Sequence, residues 1–181
     1  MGKRWILTLV VLLPLLSSAC APTSPPTPAP PTPDRTAQLE QEREALRAYF
    51  AQLDALLGPL RLAHDIYQGQ ARVEGLSVAR QAELATQLQT WVRTTAEQMR
   101  RIDPPAGLAE AHQEYLQSLA AEEAALDSLL RLLSTSQTAY ANEAAIKFQQ
   151  ADTHYRHAQA TWSTYRDLAG VLEPTRLPTP T

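Results

Sequence analysis

Proline is the feature that most limits what this chain can fold into. Of its 14 prolines, only Pro59, Pro104 and Pro105 fall between Asp34 and Leu172, while the flanking segments are crowded with them. Proline has no backbone N–H and fixes φ, so it breaks helices and sheets alike, and a long stretch nearly free of it can build long regular elements. That stretch is rich in Ala, Leu, Gln, Glu and Arg, all good helix formers, and has no alternating Val/Ile/Thr run. The expectation is one all-α domain over 34–172, large enough for a single core, with no sheet.

Apolar spacing divides the domain into four helices. The first begins near Asp34 or Thr36, either of which can cap it, and carries Leu39, Leu46, Phe50, Leu53, Leu57 and Leu60 three and four residues apart. Gly58-Pro59 interrupts this stripe, but Leu60, His64 and Tyr67 keep its phase, which predicts a kink and no stop. Residues 68–76 are read as the connection, with Ser77 as the cap of a second helix whose stripe is Leu84, Leu88, Trp91, Thr95, Met99 and Ile102. Asp103-Pro104-Pro105 ends it, and the second proline opens the next helix.

The third helix follows a four-three repeat through Leu108, His112, Tyr115, Leu119, Glu122, Leu126, Leu129 and Leu133, a heptad seam. After a short hairpin at 134–137, the fourth continues it with Tyr140, Ala144, Phe148, Ala151, Tyr155, Ala158, Trp162, Tyr165, Ala169 and Leu172. Long helices with short connections predict an antiparallel up-down-up-down four-helix bundle, with both domain ends on one side and Trp91 and Trp162 buried.

The first residues read as an address. Lys3 and Arg4 form a basic start, and Trp5 to Leu16 is an apolar run of about a dozen residues, short of the ~20 that span a bilayer. It is followed by Leu16-Ser17-Ser18-Ala19-Cys20, in which small residues precede the only cysteine. This segment resembles a bacterial lipobox, although Ser17 stands where the family usually has leucine. The resemblance implies a signal peptide over 1–19, cleavage before Cys20, and a diacylglyceryl group, its acyl chains of the palmitate kind, on the Cys20 sulfur. The partner so implied is a lipid bilayer, and the location an extracytoplasmic one, at a cell surface or in a periplasm.

Between the expected anchor and the domain, residues 20–33 are a Pro/Thr-rich tether whose polyproline geometry spans ~3.1 Å per residue. The segment 173–181 has the same composition and is read as a disordered tail. Loss of Lys3 and Arg4 would leave 14 basic against 19 acidic residues, a formal charge of −5, which disfavours nucleic acid as a partner. With Cys20 the only cysteine, the domain has no internal disulfide and no thiolate ligand of its own.

The search for chemistry is mostly negative. Missing are the Glu-x-x-His pairs of di-iron bundles, a His-Glu-x-x-His zinc signature, a Cys-x-x-Cys-His haem attachment, a phosphate loop and a nucleophile elbow. Glu122 and Glu123 are adjacent, about 100° apart on a helix, and are read as a solvated face and no catalytic dyad. A tight hairpin between the last two helices puts His112 near the level of Gln159, which brings His154 and His157 within reach as metal ligands. No carboxylate is fixed beside them by spacing, so the expectation is no metal site and no cofactor, with His112 bonded near Trp162 and the other two flanking the stripe in solvent.

Pro104 to Leu116, in the pattern Pro-Pro-x-x-Leu-x-x-x-His-x-x-Tyr-Leu, resembles helix openings in uncharacterised helical lipoproteins of bacteria, a likeness that implies no activity. The function so read is a non-enzymatic, membrane-anchored interaction or structural module. Its alternative is a bundle that holds a metal or small hydrophobic ligand between helices.

Overall fold

A computed structural model describes residues 35–170, which form an all-α four-helix bundle. The helices are α1 (Arg35–Ala71), α2 (Val78–Met99), α3 (Ala109–Thr135) and α4 (Thr138–Ala169), with a 3₁₀ turn, Ala106–Leu108, before α3. No strand occurs among the described residues, and none of their helices is long and apolar enough to cross a membrane. Cys20, the segments 1–33 and 173–181, Asp34 and Leu172 lie outside the described residues.

Local chemistry sets the helix ends. Ser77 caps α2, its hydroxyl accepting the Arg80 N–H at 3.3 Å. Pro105, which no helix can donate through, instead offers its carbonyl to the Leu108 N–H at 2.7 Å, and the turn it starts drops Leu108 fully into the core. α3 stops where Ser136 turns left-handed, at φ 57°, and α4 where Gly170 does so at φ 66°. α1 continues through Pro59 without a stop, with Leu57 and Leu60 on either side buried in the same core. It also continues past the expected connection at 68, to Ala71.

The core is built from Phe50, Leu53, Leu57 and Leu60 of α1, Leu88, Val92 and Met99 of α2, Tyr115, Leu119 and Leu126 of α3, and Trp162 of α4. α3 and α4 share the most extensive interface. α4 meets it with Ala144, Ala151 and Ala158, whose small side chains let the backbones approach until the Ser118 hydroxyl donates to the Ala151 carbonyl at 2.8 Å. Contacts elsewhere pair Gln70 of α1 with Arg80 of α2, Arg93 of α2 with Glu123 of α3, and Arg47 of α1 with the Ala169 carbonyl of α4.

Two apolar assignments need correction. Trp91 is 46% exposed while its neighbour Val92 is fully buried; Leu84, Leu88, Thr95 and Met99 of the expected α2 stripe are buried, joined by Ala85, Val92 and Ala96. Spacings of three and four fit either track, and at this level the core takes Val92 in place of Trp91. Leu39 is 50% exposed because it lies among residues 35–45, all exposed, ahead of Leu46, which packs on the core.

Candidate functional site

The sequence points to His112, His154 and His157, and the structure separates them. The expected register between α3 and α4 holds: Tyr115 meets Tyr155, with ring centroids 6.0 Å apart, and Ser118 meets Ala151. His112 turns inward, 5% exposed, and its Nδ1 lies 3.0 Å from the Tyr49 hydroxyl of α1, while the ring also bonds the backbone at Met99. The Met99 carbonyl can only accept, so the ring proton faces it and Nδ1 accepts from the Tyr49 O–H. Burial pushes the His112 pKa down, which favours this neutral tautomer. Burial pushes the Tyr49 hydroxyl far up, an effect that Trp162 and the Arg166 charge offset only in part.

The partner of His112 is therefore Tyr49, whose hydroxyl lies beside Trp162, so the histidine is bonded near that indole as expected. The Trp162 indole also packs against Tyr115, with ring centroids 4.9 Å apart. Its Nε1 is the one buried side-chain polar atom without a hydrogen bond among the described residues.

His154 and His157 lie on the flank of α4, and a carboxylate does meet them there. Glu114 Oε2 accepts from His154 Nδ1 at 2.8 Å, and His157 Nδ1 is 3.7 Å from the same oxygen. His157 is mostly exposed and His154 about one-third. Among the described residues no group of three or more His, Cys, Asp or Glu is arranged to hold a metal ion.

Three further residues matter that spacing did not single out as functional. His64 sits between its own helix and α3: Nδ1 is 3.0 Å from the Leu60 carbonyl, and Nε2 is 2.5 Å from Glu122 Oε1. Glu122 is thus a partly buried seam residue and not part of a solvated face, while Glu123 points elsewhere, to Arg93 at 2.8 Å. At the other end, Arg166 of α4 is 6% exposed, holds both oxygens of Asp54 on α1, and lies 4.5 Å from the centre of the Phe50 ring. Signals for both existed. Glu122 occupies a heptad seam position, and Arg166 falls four residues after Trp162 and three before Ala169, so each is a charge on an apolar track that demands a partner.

The common property of these groups is that each joins two helices. Tyr49 with His112 and His64 with Glu122 tie α1 to α3, Asp54 with Arg166 ties α1 to α4, and Glu114 with His154 ties α3 to α4. Chemically the set serves as polar cross-links between helices. No family model, curated protein or solved structure matches the chain.

Proposed function

We propose that the chain is a membrane-anchored extracytoplasmic lipoprotein, held to a bilayer by diacylglyceryl Cys20, whose helical bundle acts as a non-enzymatic interaction or structural module. The observation that carries this reading is the succession of Lys3-Arg4, the apolar run to Leu16, and Ser18-Ala19 immediately before the only cysteine. The bundle supports the second half of the proposal. Its partly buried ionisable side chains are spent on one another across helix interfaces, which is what a rigid carrier or docking body needs. The contact between Arg47 and the Ala169 carbonyl sets the end of α4 beside the first half of α1, consistent with an up-down-up-down path whose two proline-rich ends leave on the side of the anchor.

Detergent phase partitioning in the native host tests the anchor. The wild-type protein enters the detergent phase, and Cys20→Ala leaves it in the aqueous phase with the leader unprocessed. Equal partitioning of the two would overturn the reading.

A further inference from the structure

The bridge between His64 and Glu122 has a property that its geometry alone imposes. A carbonyl oxygen only accepts, so the His64 nitrogen facing Leu60 must carry hydrogen. The other nitrogen is 2.5 Å from a Glu122 oxygen, and that contact also needs a proton between the two atoms. The ring can be imidazolium facing a carboxylate, or neutral and accepting from a protonated carboxyl. Either way the bridge holds one proton, and its loss sets a nitrogen lone pair against a carboxylate.

Besides the bridge, the part of α1 that it holds is fixed by the edge packing of Ala63 and Tyr67 and by the Arg80 guanidinium donating to Gln70 at 2.8 Å. Beyond Pro59, which gives no N–H to the helix, only Leu60 is buried, whereas Ala63, His64, Tyr67 and Gln70 are half-buried and Leu62 and Ile66 exposed. Under its tip is an open cleft of ≈ 210 Å³ between Tyr67 and Ala71 of α1, Gln81 and Leu84 of α2, and Leu129 and Leu133 of α3. Such loose seating forfeits contacts that a close-packed helix would keep. The first half of α1 is anchored separately, through Phe50, Leu53, Leu57 and the Arg166 clasp on Asp54.

We infer that His64 and Glu122 form a proton-dependent latch, which holds the arm 60–71 of α1 on α3 and, on losing its proton, lets the arm open about Gly58-Pro59 and uncover the leucine-lined cleft. The charged surroundings favour control by this one proton. Glu122 faces His64 from α3, with Tyr115 beside that carboxylate. Asp65 and Arg61 flank it on α1, with Arg61 drawn to Asp54 at 3.3 Å. α2 meets this stretch of α1 with Leu84, Gln87, Leu88 and Trp91, none of which titrates, and at its tip with Arg80, which donates to Gln70 and pairs with Glu83; α4 meets α1 at its other half. Burial works against charge on His64, but the hydrogen bond and charge of Glu122 outweigh it and the pKa is raised. The inference stands independently of where the protein resides.

Amide hydrogen exchange of the full-length protein, corrected for intrinsic chemical rates, tests this at about pH 5.5 and about pH 8.5. Release of one proton raises the open population by up to about tenfold per pH unit, so protection across 60–71 should fall by about tenfold or more at the higher pH while 46–57 and α3 keep theirs. Glu122→Gln keeps a bridge without the proton, since its amide N–H can donate to a neutral His64. This variant should show the same protection in 60–71 at both pH values. Equal protection of the wild type at both pH values would overturn the latch, as would a fall of the same size in Glu122→Gln. A wild-type loss of protection spread over all four helices would overturn it too, because that is global destabilisation and not an opening arm.

Discussion

Arg166 grips Asp54 through both terminal guanidinium nitrogens, at 3.0 and 2.7 Å, and so joins the last turns of α4 to the middle of α1. The arginine side chain is 7% exposed and the aspartate 31%, so the pair is only partly screened by water. Asp54→Ala leaves a buried guanidinium without its acceptor and should cost about 2 to 3 kcal/mol in denaturant unfolding. Arg166→Met keeps the stem's packing on Phe50 and should cost less. A double-mutant cycle between these positions should return a coupling of about 1 kcal/mol or more, and additive losses would mean that the clasp contributes nothing.

The histidines predict a stability profile with two limbs. The His64 pKa is raised above 6.5, so its contribution is complete below that value and is lost as pH rises through the folded pKa. Burial lowers the His112 pKa below 6.5, so its contribution is complete above that value and is lost as pH falls through the folded pKa. Unfolding free energy should therefore peak near neutrality, as urea titrations across the range would report. Glu122→Gln should flatten the alkaline limb only, and His112→Gln the acid limb only.

Tryptophan emission should separate two environments. Trp162 is 1% exposed and Trp91 46%, so in a Trp5→Phe background the spectrum should contain a blue-shifted, quencher-resistant component and a red-shifted, quenchable one. Trp91→Phe should remove the quenchable part. Loss of the resistant part instead would reverse the burial of the two rings.

Leucines offer a direct comparison of seam and surface. Leu119 is 2% exposed at the centre of α3, and Leu119→Ala should cost about 2 to 5 kcal/mol. Leu39, half exposed on the overhanging start of α1, should change stability by less than about 0.5 kcal/mol on the same substitution. Similar losses at both sites would contradict the placement of the core.

The contrast between helix ends and helix faces explains what could be read from the residues. Ser77, Pro104-Pro105 and the 134–137 hairpin act locally, on backbone groups within a few positions, and so the start of α2, the break before α3 and the turn between α3 and α4 were legible. The α3 seam was legible for most of its length because its apolar residues repeat without a competing track. Rotation was not, since Trp91 and Val92 fit equivalent spacings and only the shape of the facing helices decides between them. The polar cross-links were least legible. Glu122 and Arg166 each announce the need for a partner, but His64 is 58 residues from the first and Asp54 112 from the second, and sequence spacing carries no information across that separation. His112 was legible as a buried seam residue near Trp162, but its partner Tyr49, 63 residues away, was not.

The central claim is that Cys20 becomes the lipid-bearing first residue of the mature protein, and the intact mass of the protein extracted from its native membrane tests it most directly. The account predicts a chain lacking Met1 to Ala19 with the added mass of a diacylglyceryl group on its first residue, and with Cys20→Ala a heavier chain that keeps its leader and carries no lipid. A wild-type mass corresponding to an unmodified Cys20, whether the leader is removed elsewhere or retained, would contradict it.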